Sequence, residues 1–373
     1  MAYPGNPKAF LQERSRLLGK NFTALGRIIV GEYNQVVEII QSPQKRGPFL
    51  GPAELVPCQF AKNFPLFQSD EDAGGGKLHS HLHNHYWADL VPPAVALIKK
   101  QEAVFTGYLK EGLAAVMITC SEETKTMEIQ KMTIRYIFHA FLGAPIDPSE
   151  VDLIHTLLFA VGNYFSGGMK PFSMLDTCFP SSRTKDIRQI VNLIIKSPLM
   201  SDYVPSTETG NQSEEDYAQM IFDVLSIAAV TGTSTLLIEI LTGIPENAAI
   251  DLDNEKDVMF AVLEATRRSP PVLIVNGILP EAKTMTVNGK EHIIPAGAVV
   301  GASIGLASLD PDIFEKPDTF NHHRDNLIKM VVHFNALGYN PVGAGTRQCP
   351  GRNVAMKIAC DVLTLSRDPE FLK

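Results

Sequence analysis

Several groups of residues in this chain have the types and spacing to do chemistry. One is a single cysteine, Cys349, set among Gly345, Pro350 and Gly351 and flanked by Arg347 and Arg352. A lone cysteine in a turn is ordinarily a small buried side chain, and the glycines and arginines around this one ask for more. Glu264 and Arg267 form a second group: the i, i+3 spacing puts opposite charges on one helical face, which alone is usually a solvated salt bridge. A third is Thr231-Gly232-Thr233-Ser234-Thr235, a hydroxyl patch inside the apolar stretch 221–244. Such hydroxyls either relay protons or bond back to a carbonyl of their own helix. The last is KLHSHLHNHYW, residues 77–87, where His79 pairs with His83 and His81 with His85 at i, i+4. No Asp, Glu or Cys stands at a supporting spacing, so this stretch does not read as a transition-metal site.

These groups sit in a chain of 373 residues, 45% hydrophobic and 20% charged, which suits a large core and excludes disorder. The net charge of −8 is spread along the sequence without a basic stripe, so nucleic acid is not an expected partner. Cysteines 58, 120, 178, 349 and 360 form no C-x-x-C pair and no regular framework, which predicts a reducing compartment and neither disulfides nor zinc on cysteine. The first residues carry no signal-peptide pattern. The stretch 221–244 contains Asp223 and Glu239 and reads as a buried helix, not a membrane span. A cytoplasmic or peripherally membrane-associated protein is expected.

The elements that must position the chemistry are mostly helical. Periodicity predicts helices at 7–19 and 33–42, a run of helices from 92 to 198, a long helix opened by Ser213 and ending near Gly243, one at 254–268, and a last one from Arg352. GRIIVG at 26–31 reads as a strand, as do VLIV, TMTVNG, HIIP and AVVGASI between 272 and 304. The expected fold class is mostly α with a small β region, and no linker divides residues 1–373, so one domain is expected.

Gly345-Thr-Arg347-Gln-Cys349-Pro-Gly351 resembles the heme-ligand loop of the cytochrome P-450 superfamily. The resemblance implies heme b as cofactor, with Cys349 as the thiolate ligand of the iron. It implies that Gly345 and Gly351 let the backbone approach the porphyrin, and that Arg347 meets a heme propionate. Val342 stands where the family usually has a Phe. Glu264-Ala-Thr-Arg267 resembles the family's Glu-x-x-Arg motif, and Phe320-Asn-His322-His323-Arg324 the downstream segment whose arginine completes a buried network, with histidines in place of the usual Pro and Glu. The implied fold is the cytochrome P-450 fold, with the long central helix over the heme. Only residues 350–373 follow Cys349, where relatives run on to a C-terminal hairpin, so the chain reads as short or trimmed.

In monooxygenases of the superfamily the long helix carries an acid–alcohol pair that delivers protons to activated dioxygen. Here Gly232 and Thr235 fit that pattern and Ser234 takes the acid's place. The segment is also similar to that of the hydroperoxide-rearranging branch, the allene oxide synthases, epoxyalcohol synthases and hydroperoxide lyases, although Ala228 stands where those often have Asn. The reading favoured at this point is O–O cleavage and rearrangement of a fatty-acyl hydroperoxide without a reductase. The alternatives are a monooxygenase with an apolar substrate and a separate electron donor, and a heme-binding sensor or carrier. The resemblance further implies that a histidine pair such as His79 and His83 contacts the propionates. Asn276 and Val275 would edge the substrate pocket, and a redox partner would dock near Lys329, Arg347 and Arg352.

Overall fold

The computed structural model describes residues 7–24, 27–41, 87–119, 121–165, 182–200, 214–279, 281–325, 327, 349 and 351–371. These fall into two units. The first is built from the described residues between 7 and 41 and between 242 and 352. The second takes those between 87 and 241 and from 353 onward.

In the first unit, α1 (Pro7–Leu18) leads into β1 (Phe22–Ala24) and β2 (Arg27–Val30), then α2 (Tyr33–Gln41). Later in the chain come α10 (Glu255–Arg268), β3 (Val275–Ile278), β4 (Lys283–Val287), β5 (Lys290–Ile294), β6 (Val299–Ala302) and α11 (Ile304–Ala307), the labels α3 to α9 being kept for the second unit. One sheet has the order β1-β2-β6-β3, with β2 parallel to β6 and the other pairs antiparallel. Strands β4 and β5 form a separate hairpin. Its turn is Asn288-Gly289, both with positive φ (51° and 74°), the pairing that a tight hairpin needs. Asn288 also accepts the N–H of Thr23 at 3.1 Å, which ties the hairpin to β1. Val30, Val36, Met285, Val287, Val300 and Ile304 make the core of this unit. Gly31 packs so tightly that a Cβ there would stand 2.5 Å from the carbonyl oxygen of Lys20.

Two expectations shift here. Strand β1 was not foreseen, being only three residues long. The strand expected at 272–275 lies at 275–278 instead, because the Leu273 carbonyl accepts Gly305 N–H at 3.1 Å and the Ser303 hydroxyl at 3.4 Å. That backbone is committed to a turn contact, and ladder pairing starts only at Val275 opposite Ala302.

The second unit is helical: α3 (Trp87–Lys100), α4 (Glu102–Ile118), α5 (Glu122–Leu142), α6 (Pro148–Phe165), α7 (Ser182–Ile195), α8 (Glu214–Asp223), α9 (Gly232–Gly243) and α12 (Arg352–Arg367). Helix α5 shows how the sequence sets its own limits. Ser121 accepts the N–H of Thr124 at 3.1 Å, Glu122 and Glu123 follow in the first turn, and Gly143 ends the helix at φ 82°. Helices α4 and α5 pack on each other, with the Phe105 and Tyr136 rings 4.7 Å apart between centroids. Between α8 and α9 the residues Val224–Thr231 form a π-helix, where an uninterrupted α-helix was expected. No helix among the described residues is long and apolar enough to cross a membrane.

Candidate functional site

Cys349 is half-buried, just ahead of α12. Burial around the sulfur pushes its thiol pKa up, against the pull of the Gly351 and Arg352 backbone N–H groups and the Arg352 charge. The Arg352 N–H also donates to the Cys349 carbonyl at 3.2 Å. A sulfur that meets N–H donors and a cation in a desolvated turn is made for a thiolate whose charge a metal shares, since a coordinated thiol is deprotonated outright. The donor set therefore fits a thiolate-ligated heme iron. Gly345, Arg347 and Val342 of the same loop lie outside the described residues, as do Lys329 and the histidines 79, 81, 83 and 85.

The structure brings Glu264, Arg267 and Arg324 together. Arg267 is fully buried and grips Glu264 with two bonds, Nε to Oε2 and Nη2 to Oε1, each 2.8 Å. Arg324 donates its Nε to Oε1 at 3.1 Å, and the Asn321 N–H reaches the same oxygen at 3.1 Å. One carboxylate faces two guanidinium groups, so the surplus positive charge is met by carbonyl oxygens. Arg267 donates to Ser308 and Pro317, each at 2.6 Å, and Arg324 to Glu315, Lys316 and Thr319 at 2.6, 3.0 and 2.9 Å. Phe314 lies under the Arg267 guanidinium, 4.9 Å from it. The helix spacing supplies Glu264 and Arg267. The carbonyl cradle comes from an irregular stretch and had no signal in sequence.

The hydroxyl patch begins where the π-helix ends. Thr231 is exposed, Gly232 and Thr235 are half-buried, and Thr233 and Ser234 are buried. Ser234 Oγ donates to the carbonyl of Thr231 at 3.2 Å. Its proton is thus already given to the backbone, the helix-bonding role that such residues often take. The π-helix directly upstream is a feature that sequence periodicity missed, since all of 224–230 but Ser226 is apolar, whichever way the turn is wound. Insertions of this kind are frequent at functional sites. Ala228 lies within it, and Asn276 sits in β3 opposite Gly301 of β6.

The cysteine turn fits a heme-thiolate protein, and the likeness to known proteins bears on that fit. Residues 264–363 match the family model for cytochrome P450. The pulcherriminic acid synthase of Bacillus subtilis (strain 168) is 32% identical over 141 residues, 37% of this chain and 34% of that protein. The cytochrome P450 monooxygenase 76AD131 of Lophophora williamsii is 30% identical over 97 residues, 26% of this chain and 19% of that protein. In these two matches the chain spans 34% and 19% of the relatives' length. The solved structure of the versatile cytochrome P450 enzyme CYP109B1 from Bacillus subtilis has the same fold, with a TM-score of 0.66 at 15% identity over 98% of this chain and 92% of that one. Residues 264–363 thus match the cytochrome P450 family, whose members bind heme b, and the chain has the fold of that family's solved structures.

Proposed function

We propose that residues 1–373 act as a single heme-thiolate domain that oxidises an apolar small molecule with dioxygen, taking electrons from a separate donor. The observation that carries the heme-thiolate part is the Cys349 sulfur with the Gly351 and Arg352 N–H groups turned to it. The monooxygenase part is supported by the relatives' names, one of which is itself called a monooxygenase. Bound heme supplies the one-electron and dioxygen chemistry that no side chain here can perform. The chain's residues do the rest. Cys349 holds the iron, Gly345 and Gly351 let the loop lie close to the porphyrin, and Arg347 with His79 and His83 binds propionates. Glu264, Arg267 and Arg324 anchor the segment upstream of the thiolate loop. Thr235 carries a proton beside the substrate, with Gly232 leaving room on the same helix turn.

A second reading, O–O cleavage and rearrangement of a fatty-acyl hydroperoxide, is favoured by Ser234. It replaces the proton-supplying acid, and its hydroxyl is spent on Thr231. A substrate that already contains the O–O bond needs neither that acid nor a reductase.

One experiment separates the two. The heme-loaded protein is mixed with a polyunsaturated fatty-acid hydroperoxide in the absence of reductase and NADPH, and the conjugated-diene absorbance is followed. In parallel it is given a reductase, NADPH and a panel of apolar compounds, with products read by mass spectrometry. Oxygenated products only in the second arm support the monooxygenase. Fast saturable diene loss above a free-heme control supports rearrangement and overturns the first reading. Activity in neither arm, with heme bound, favours a heme sensor or carrier.

A further inference from the structure

The segment that carries Arg324 holds two histidines the ion network does not use, His322 and His323. Both face Asp257 in the first turn of α10: His322 Nε2 lies 3.3 Å and His323 Nδ1 3.7 Å from the same oxygen, Oδ1. The three potential ligand atoms all lie within 4.8 Å of one another. His322 is only 5% exposed, and its Nε2 is buried with no hydrogen-bond partner. Asp257 is itself oriented, because its other oxygen accepts the Asp251 N–H at 2.8 Å and leaves Oδ1 toward the rings. The rings are held side by side, 3.9 Å between centroids, and the backbone N–H of His323 donates to the Asn321 side-chain oxygen at 3.1 Å.

We propose that Asp257, His322 and His323 form a site for a divalent transition-metal ion of the zinc class. Zinc with ligands at about 2.0–2.1 Å in a tetrahedron sets neighbouring ligand atoms about 3.3–3.5 Å apart. The two distances to Asp257 already bracket that edge. The remaining edge, between the two imidazoles, closes by turning His323, whose side chain is 68% exposed. Two imidazoles and one carboxylate suit zinc, and the open side at His323 leaves the fourth position to water. The ion acts as a clip. It ties the start of α10 to the 320–325 segment, beside the second tie that Glu264 makes to Arg324.

The test uses the full heme-loaded chain, dialysed first against ZnCl2 and then against zinc-free buffer, with zinc and iron counted by plasma mass spectrometry. Iron reports heme. The expected result is about one zinc per chain, absent from Asp257→Asn and His323→Ala, and kept when His79, His81, His83 and His85 are all replaced by Ala. In competition with a chromogenic chelator, either ligand substitution weakens zinc binding by more than the roughly 10–100-fold that losing an outer-shell partner costs. Zinc also raises the melting temperature of the wild type and leaves that of His323→Ala, an exposed position, unchanged. The proposal is overturned if the wild type keeps no zinc, if both ligand variants keep it, or if only the 79–85 substitution removes it.

Discussion

Arg324 Nε and Arg267 Nη2 converge on one oxygen of Glu264, at 3.1 and 2.8 Å, in a place where Glu264 and Arg267 are fully buried. Removing the carboxylate strands two positive charges whose remaining partners are neutral carbonyls. Glu264→Gln is therefore expected to destabilise the protein by roughly 3–5 kcal/mol. Arg324→Ala, at the more exposed end, costs less. Urea unfolding midpoints of the two variants check both the size and the order.

His139 is buried on α5 with its Nδ1 3.0 Å from the Tyr108 hydroxyl, and burial holds its pKa below the ordinary 6.5. The folded state thus binds fewer protons than the unfolded chain near that pH. The stability this neutral imidazole contributes is full above pH 6.5 and is lost as the pH falls through the interval between 6.5 and the lowered folded value. His155 shifts in the same direction, through burial and then the Lys131 charge. Chemical denaturation at pH 7.5 and at pH 5 is expected to give a smaller difference for His139→Gln than for wild type, with His155 adding to the slope in the same direction.

Two glycines predict opposite tolerances. A methyl at Gly31 meets the Lys20 backbone oxygen at 2.5 Å, which cannot move without the strand. A methyl at Gly107, inside α4, meets nothing within 4 Å, and alanine favours a helix over glycine by about 1 kcal/mol. Gly31→Ala should cost about 1–3 kcal/mol or more, and Gly107→Ala should cost nothing or stabilise slightly. Melting curves of both decide it.

Ser234→Ala removes one hydroxyl that donates to Thr231. The expected loss of stability is about 1 kcal/mol. If the Ser234 proton serves the helix, product formation by the heme-loaded enzyme stays within about twofold of wild type. Thr235→Ala, by contrast, lowers it by a factor of about 10² or more, as loss of a positioned proton donor does. Steady-state product formation on the substrate found active separates the two residues.

Cys349→Ala should leave the fold and take the thiolate. The heme that the variant still binds is expected to lose the thiolate-shifted absorption of its reduced carbon monoxide complex, while far-ultraviolet circular dichroism stays unchanged.

Local order alone determined much of this protein. Ser121, Asn254 and Gly143 act on neighbours a few residues away, so the limits of α5 and α10 follow from periodicity and caps. The cysteine turn and Glu264-x-x-Arg267 were legible for the same reason: each is a short-range pattern with its own chemistry. What tertiary structure decided depends on contacts between distant segments. The strand after Pro271 moved by three residues because Leu273 answers Gly305 and Ser303. The carbonyl cradle around Arg267 and Arg324 is assembled from a stretch with no period to read. The winding of Val224–Thr231 depends on packing that a mostly apolar sequence with no clear period does not encode locally. Asp257 and the two histidines are unremarkable where they stand in the sequence, and they become a possible ligand set only because the folded backbone carries the 320–325 segment back against the first turn of α10.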